Sequence, residues 1–533
     1  MKNQRRALWT ACIGIGVLLM SAGCGDSTEG GGAGSNSGGA AGVTGGVGGT
    51  STSGGSSGVG GGGGGGTPGG GGIGGAAGAT GGAGGTRAGE CSVQFADPLG
   101  YPKPRCLSLL LPDAAGVSNT YYVDMTNGSG SSCTQAAPCK SLSDVTGKPG
   151  TNGGPAIIHL KGDGYLQLTN SQLAGAPGKE IVVRPWPNDT TLATMKAQSG
   201  CNVSDANTIA GASTHHVVFD GGPDMLFRFV GSGCSGSQNG YTLVVKSDDI
   251  TLWRVRIDAN QSAGPALGPG AGSGTHIHNF RFINSEIYNA GSYYGVYAGG
   301  GTGCSAKDTW LTDMEFRNSV FREIDGRGIQ IEPRADSSGL IVDGNAFHHI
   351  GYASSGNQSI SMAVQPAGAC GGVTDNVEIS NNIAWDLGGG FALVDYGLAD
   401  ASHFKIINNT VWDYANASPV TLNSHAITAS VDGYKAEVRN NILLAPANGG
   451  VNPLNRASGF TSNDNLCEQG SACGSGGLTG SADAIYVAVD PNSATFLFPK
   501  GNALGNAVLQ PGFELDYFGV MRSGAIDVGA IEQ

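Results

Sequence analysis

The stretch Ile379-Ser380-Asn381-Asn382 decides the fold, because its pattern recurs along the chain. Each copy joins two apolar strands through a pair of small polar residues. The other copies are Phe282-Ile283-Asn284-Ser285, Phe316-Arg317-Asn318-Ser319, Val342-Asp343-Gly344-Asn345, Ile406-Ile407-Asn408-Asn409 and Val438-Arg439-Asn440-Asn441. Their first residues are separated by 34, 26, 37, 27 and 32 positions. A repeat of this size and variable length predicts a solenoid with loops of unequal length between its turns.

Side-chain alternation along the strands predicts which residues form the core of this solenoid. Val377, Ile379 and Ile383 should point one way, and Glu378 and Ser380 the other. The first polar residue of each copy stands at a bend, where an Asx side chain tolerates left-handed backbone geometry. We therefore expect an internal ladder of stacked amides, broken once by Gly344 and formed by Asn284, Asn318, Asn381, Asn408 and Asn440. A sugar-binding role for these amides is the weaker interpretation, because their register follows the repeat itself.

The N-terminus carries an export signal, in which basic residues precede a short apolar run over 9–20. The following Ser21-Ala22-Gly23-Cys24 resembles a bacterial lipobox, although Ser21 stands where that motif usually has Leu. The resemblance implies a signal peptide over 1–24, a lipid on Cys24 and a position at the cell surface or outer membrane. Ordinary cleavage near Ala22, giving a secreted protein, is the alternative. Residues 25–89 are rich in Gly and Ser and predict a disordered tether, which leaves 90–533 as the folded domain.

Ten cysteines follow Cys24, and an even number in an exported chain predicts disulfide bonds. A zinc site is the competing interpretation, but the sequence has no CxxC pair and no His at ligand spacing. Pairing of sequence neighbours predicts Cys91–Cys106, Cys133–Cys139, Cys201–Cys234, Cys304–Cys370 and Cys467–Cys473.

Composition narrows the class of partner. The formal net charge is −13 and charged residues make up 13% of the chain, which argues against a nucleic-acid partner, because phosphate binding needs clustered Lys and Arg. An Asn- and Ser-rich, weakly charged body favours a polysaccharide. Beyond the export signal no segment is long and apolar enough to cross a membrane, so we expect membrane contact only through an N-terminal lipid. We also expect the protein to be a monomer.

Both ends of the folded region carry a family resemblance. Tyr121-Tyr122-Val123-Asp124, followed by Pro138-Cys139-Lys140-Ser141-Leu142, resembles the first segment of the secreted bacterial right-handed parallel β-helix superfamily. The closing Gly524-Ala525-Ile526-Asp527-Val528-Gly529-Ala530-Ile531-Glu532 resembles its C-terminal signature. The resemblance covers roughly 118–533 and implies an all-β, right-handed parallel β-helix with an N-terminal cap. Repeats between Ile157 and Val438 predict about ten turns. The superfamily includes pectate, alginate and chondroitin lyases, polygalacturonases and non-catalytic surface proteins, so activity stays open.

The resemblance also implies where a substrate would lie. In pectate-lyase-like helices it follows one strand face, which here comes one strand after each Asn turn. Repeat spacing predicts that a single vertical row on this face holds Tyr297, Glu332, Gln365, Asp395 and Asn423. Glu332 and Asp395 would then be two rungs, about 10 Å, apart. The residues expected to flank the row are Arg327, Arg334, Tyr396 and His425.

Two chemistries fit such a row. A polyuronate lyase needs a base for the proton α to the carboxylate and a cation for the developing enolate. The resemblance implies Arg327 or Arg334 as base and Ca²⁺ near Glu332 and Asp395. An inverting glycoside hydrolase would instead use two carboxyl groups roughly 6.5–9.5 Å apart.

We favour a polyuronate lyase that acts by β-elimination. The residues expected to bind the substrate are Tyr297, Gln365, Tyr396, Asn423 and His425. A non-catalytic glycan-binding or adhesive surface protein and a glycoside hydrolase remain alternatives. The plainest alternative is that Glu332 and its neighbouring arginines form only a solvated salt-bridge face.

Overall fold

The computed structural model describes residues 91–111, 116–169, 173–211, 213–234, 240–271, 276–291, 293–299, 310–332, 337–352, 360–364, 374–395, 404–414, 420–423, 436–444, 454–456, 461–468 and 475–533. The predicted signal peptide, lipidation residue Cys24 and tether lie outside these ranges. Among the helices of the described residues, none combines the length and the apolar character needed to span a membrane.

Three sheets of parallel strands build the described chain, and successive turns visit them in the order sheet 1, sheet 2, sheet 3. Sheet 1 consists of Thr120–Asp124, Ala156–Lys161, Ile181–Pro185, Val217–Asp220, Ile250–Trp253, His276–His278, Arg281–Ile283, Trp310–Arg317, Ser337–Asp343, Thr374–Ser380, Phe404–Ile407, Ala436–Arg439 and Thr461–Asn463. Sheet 2 consists of Asp163–Gly164, Ala193–Lys196, Phe227–Val230, Val255–Asp258, Glu286–Ala290, Val320–Ile324, Ala346–Ile350, Ile383–Leu387, Thr410–Tyr414, Ile442–Leu444, Leu466–Cys467 and Leu478–Thr479. Sheet 3 consists of Gln167–Thr169, Asn207–Ala210, Leu243–Lys246, Leu267–Pro269, Tyr294–Gly299, Arg327–Glu332, Ile360–Val364, Gly390–Asp395, Val420–Asn423 and Leu454–Arg456.

The helices of the described chain are short. An α-helix spans Ala482–Ile485, and 3₁₀-helices span Leu142–Val145, Val203–Asp205 and Gly501–Ala503. In the segment that resembles the start of the superfamily fold, Leu142 and Val145 are buried in the main core. The N-terminal cap itself stays a prediction.

Stacking of identical positions between turns forms the core, as the repeat predicts. In sheet 1, Val342 pairs in register with Ile379, Ile379 with Ile406, and Ile406 with Val438. All four belong to one buried cluster that runs along the solenoid. Each turn therefore buries its apolar residues against the next turn. Ten strands of sheet 1 follow one another from Ala156–Lys161 to Ala436–Arg439, which confirms the predicted number of turns.

The Asn turn between sheets 1 and 2 confirms one prediction and corrects another. The first residue of each pair is left-handed as predicted, with φ near 50° at Asn284 and Asn318 and 67° at Gly344. The amide ladder, however, is built by the second residue of each pair. Asn345 Nδ2 donates to Asn382 Oδ1 at 3.0 Å, and the following 2.9 Å steps run through Asn409, Asn441 and Asn465. In the left-handed turn it is the second side chain that lies inside the solenoid.

Both terminal segments pack on the outer faces of sheets 1 and 2. Cys91 and Leu107 lie against Trp253 of sheet 1, while Tyr101 and Tyr486 join an apolar cluster outside sheet 2. Ile383, which the alternation assigns to the interior, belongs to this outer cluster, and its neighbour Ala384 lies in the core instead. The left-handed turn at Asn381 shifts the inward–outward alternation by one position at the start of the sheet 2 strand that follows it.

Three predicted disulfides are present in the described residues: Cys91–Cys106, Cys133–Cys139 and Cys201–Cys234. Cys467 is also disulfide-bonded. Its predicted partner Cys473 and the predicted pair Cys304–Cys370 lie outside the described residues.

Candidate functional site

Sheet 3 brings the candidate residues together on the outward side of two neighbouring strands, Tyr294–Gly299 and Arg327–Glu332. A Cβ built on Gly295 would lie 2.7 Å from the Ile324 Cδ1 atom of the core, so this position faces inward. The next residue along the strand, Val296, is buried in the main core as well. Two consecutive inward positions make a local irregularity that turns both Tyr294 and Tyr297 outward.

The neighbouring strand repeats this irregularity one turn later. A Cβ on Gly328 would meet the core atom Ile350 Cδ1 at 3.2 Å, and Ile329 is also in the core. Arg327, before the glycine, and Gln330, after the isoleucine, therefore share the outward side. Register pairs Tyr294 with Arg327 and Tyr297 with Gln330.

Direct contacts link these side chains into one cluster. The Tyr297 hydroxyl donates a hydrogen bond to the Glu332 carboxylate, and the Arg327 guanidinium donates one to Gln330 Oε1. The rings of Tyr294 and Tyr297 are stacked, with centroids 5.0 Å apart and an interplanar angle of 14°. We call Tyr294, Tyr297, Arg327, Gln330 and Glu332 the sheet 3 cluster.

Burial shifts the proton affinities within the sheet 3 cluster. Arg327 is 7% exposed and Gln330 3%, although both lie on the outward side of the sheet. Burial, followed by the neighbouring Glu332 carboxylate, raises the pKa of the Tyr297 hydroxyl far above its ordinary value. Burial lowers the pKa of Arg327, and the nearby Tyr294 and Glu332 oppose that shift. The cluster thus combines a firmly protonated phenol, a carboxylate and a desolvated guanidinium.

Comparison with known proteins bears on the fold. The family model described as "Right handed beta helix region" matches residues 270–467, the part of the chain that contains the sheet 3 cluster. Together with the three parallel sheets, this match decides the architecture. The fold is a right-handed β-helix.

Solved structures similar to this β-helix include several polysaccharide lyases. Pectate lyase Pel9A has a TM-score of 0.46 at 15% identity, covering 79% of this chain and 98% of that chain. A rhamnogalacturonan lyase has a TM-score of 0.42 at 14% identity, covering 72% of this chain and 97% of that chain. An alginate lyase from Paenibacillus sp. str. FPU-7 has 0.30 at 17%, covering 63% and 98%. No curated protein matches the sequence.

The register of the β-helix corrects the predicted row. Tyr297 pairs with Gln330, whereas Glu332 pairs with Gly299, so Tyr297 stands two positions before the row that holds Glu332. Its hydroxyl nevertheless reaches diagonally to the Glu332 carboxylate. Asp395 pairs with Asn423, as predicted.

The continuous pairing of Ile331 with Val364 and of Val364 with Val394 places Asp395 two rungs from Glu332. This spacing agrees with the separation of about 10 Å predicted from parallel strands. The backbone of Asp395 and Asn423 is described, but their side chains are not. The remaining predicted site residues lie outside the described residues: Arg334, Gln365, Tyr396 and His425.

The predicted Ca²⁺ site stays a prediction. In the described part of the chain, no three His, Cys, Asp or Glu side chains come together as a metal site. Glu332 is the one member of the predicted pair whose side chain is described, and its carboxylate accepts the Tyr297 hydrogen bond. We therefore route no chemical step through a metal ion.

Two members of the sheet 3 cluster, Tyr294 and Gln330, were not predicted as site residues from the sequence. A signal for Tyr294 was present. The aromatic pair Tyr293-Tyr294 stands directly before Gly295, and a residue before a strand glycine is a candidate for a local change of face. The buried state of Arg327 had no signal in the sequence, because it depends on neighbouring turns.

Proposed function

We propose that this chain is an extracellular polysaccharide lyase that cleaves a polyuronate by β-elimination at the sheet 3 cluster. The observation that carries the proposal is the buried Arg327 guanidinium beside the hydrogen-bonded Tyr297–Glu332 pair. The terminal segments pack on sheets 1 and 2, so sheet 3 is the face on which we place the substrate.

Arginine suits a uronate better than a neutral sugar. A guanidinium recognises a carboxylate through paired charge-assisted hydrogen bonds. Such a charge-assisted contact is stronger in a site shielded from water than at an exposed surface. Neutralising the uronate carboxylate also favours loss of the adjacent C5 proton, because the developing enolate is stabilised.

The rest of the predicted site extends this proposal along the same face. In it, Arg334 and Asp395 belong to the catalytic region, and the substrate-binding residues are Gln365, Tyr396, Asn423 and His425. The stacked rings of Tyr294 and Tyr297 offer an apolar surface for a sugar ring. A lipid on Cys24 would hold the enzyme at the cell surface, and a Ca²⁺ requirement would appear as loss of activity with a chelator.

The direct test is ultraviolet absorbance from unsaturated uronate ends. The full chain is incubated with polymannuronate, polyguluronate, polygalacturonate and unsulfated chondroitin, with Ca²⁺ or with a chelator. Arg327→Lys keeps the charge but loses the planar fork, and we expect a fall in rate of about 100-fold or more. Arg439→Lys, on sheet 1, is the matched control and should keep the parental rate. No absorbance rise on any polymer would overturn the proposal.

The stacked tyrosines favour a second candidate, a glycan-binding protein without catalysis. The migration of such a protein would be slowed in gels that contain one of these polymers, and the protein would release no product. New reducing ends without ultraviolet absorbance would instead identify a glycoside hydrolase.

A further inference from the structure

The contact between Tyr297 and Glu332 has a stereochemical consequence for the proposed reaction. The phenol donates its hydrogen bond to the carboxylate, so the two oxygens lie within hydrogen-bonding distance of each other. Any sugar ring placed over the sheet 3 cluster meets both oxygens from the same side. A proton acceptor and a proton donor are thus presented to a single face of the substrate.

We propose that Tyr297 and Glu332 act as a proton-transfer dyad that carries out syn elimination on a 1,4-linked uronate. This inference rests on the proposed function and deepens it. In a syn elimination the C5 hydrogen and the C4 oxygen leave from one face of the ring. Uronates of the gluco and manno configuration have that arrangement, whereas galacturonate and guluronate present the two groups on opposite faces. The dyad therefore assigns the substrate class to glucuronate- or mannuronate-containing polymers.

The proton balance closes without an added reactant. The Glu332 carboxylate takes the C5 proton, and the C5 electron pair forms the C4=C5 double bond as the C4–O4 bond breaks. The leaving O4 takes the phenolic proton of Tyr297. The resulting phenolate then recovers a proton from the Glu332 carboxylic acid along their existing hydrogen bond. Arg327 pairs with the substrate carboxylate throughout and moves no proton.

The environment of each group agrees with its role. The Tyr297 hydroxyl stays protonated at neutral pH, because burial and the adjacent carboxylate both disfavour the phenolate. Stacking against Tyr294 holds the Tyr297 ring in place. Glu332 belongs to the strand that also presents Arg327, so the proton acceptor and the cation have a fixed relation along the chain.

Four variants test the dyad. Tyr297→Phe keeps the ring but removes the proton, and Glu332→Gln keeps the shape but removes the base. Each should lower kcat by about 10²–10⁴-fold with KM changed by less than about threefold. The double variant should be no more than about threefold slower than the slower single variant, because both changes disable one unit. Matched controls on sheet 1 are Tyr121→Phe, which removes a hydrogen bond to Pro149 O, and Glu315→Gln.

The polymer panel separates this inference from the proposed function. Cleavage of polymannuronate or unsulfated chondroitin, with polyguluronate and polygalacturonate at least about 100-fold slower, is the expected result. Efficient cleavage of polygalacturonate or polyguluronate would leave a lyase but overturn the dyad. Retention of activity within about tenfold in Tyr297→Phe would also overturn it. Because Phe fills the same stacked position, a melting temperature equal to the parental one distinguishes lost chemistry from lost folding.

Discussion

Replacing one amide of the buried ladder should cost far more stability than replacing the asparagine next to it. Asn409 is fully buried, and its Oδ1 accepts from the Asn382 amide N at 3.1 Å and from Asn382 Nδ2 at 2.9 Å. Its own Nδ2 donates to Asn441 Oδ1 and to Ile379 O, each at 2.9 Å. Asn409→Ala removes these four bonds and a fifth, from Nδ2 to Ile407 O at 3.3 Å, and it leaves the Asn382 backbone N–H buried without an acceptor.

The expected cost follows from those bonds. One orphaned buried N–H and four other lost hydrogen bonds together amount to about 3–5 kcal/mol of unfolding free energy. Asn408 is the control. It is buried and left-handed at φ 57°, and its amide makes no hydrogen bond within the described residues. Asn408→Gly suits that backbone and should change the free energy by no more than about 1 kcal/mol.

Urea unfolding of the disulfide-intact chain, followed by circular dichroism, measures the difference. Because a solenoid can unfold in parts, hydrogen exchange at the turns on either side of Asn409 should accompany it. Protection there should fall in Asn409→Ala and stay parental in Asn408→Gly. Equal losses for the two variants would refute the assignment of the ladder to the second residue of each pair.

Three further predictions concern other parts of the β-helix. Burial raises the pKa of Asp97, but the hydrogen bond to His348 at 2.8 Å, the His348 charge and the neighbouring Tyr101 and Lys103 together outweigh burial and hold that pKa below its ordinary value. The stability contributed by Asp97 is therefore present above about pH 4 and lost as the pH falls further. Asp97→Asn removes this titrating carboxyl group and should make the melting temperature depend less on pH between pH 5 and 2. Serines at Cys201 and Cys234, which are 33 residues apart, should lower the unfolding free energy by about 4 kcal/mol, as measured in urea. Gly328→Ala places a Cβ 2.4 Å from a carbonyl of the next turn, so we expect at least about tenfold slower lyase activity with most of the thermal stability kept.

The repeat made the fold predictable, because every copy favours the same local structure. An apolar strand, a left-handed position and a second strand recur six times, and stacking is the arrangement that satisfies all copies at once. The register of the amide ladder was also within reach of the sequence. Gly344 occupies the first position of one pair, where glycine meets the left-handed geometry but could not supply an amide. Ser285 occupies a second position, and its Oγ accepts from Val255 N at 3.1 Å in the same role.

The candidate site was less predictable, because it depends on turns whose lengths differ. Between paired residues, sheet 2 advances by 34 positions from Ala290 to Ile324, and sheet 3 by 33 from Tyr294 to Arg327. The repeat spacing set Tyr297 opposite Glu332, 35 positions on, whereas the observed advance of 33 sets it opposite Gln330, so spacing alone assigned Tyr297 to the wrong row.

The same argument explains why a wrong row still selected interacting residues. Along a strand, side chains two positions apart share a face, and a long phenol can reach a diagonal neighbour. An error of two positions therefore keeps the face and changes only the vertical row, whereas an error of one would have put Tyr297 inside the core. Burial fixes the face and turn length fixes the vertical row, so the sequence could place Tyr297 and Glu332 on one face of sheet 3 but could not predict their contact.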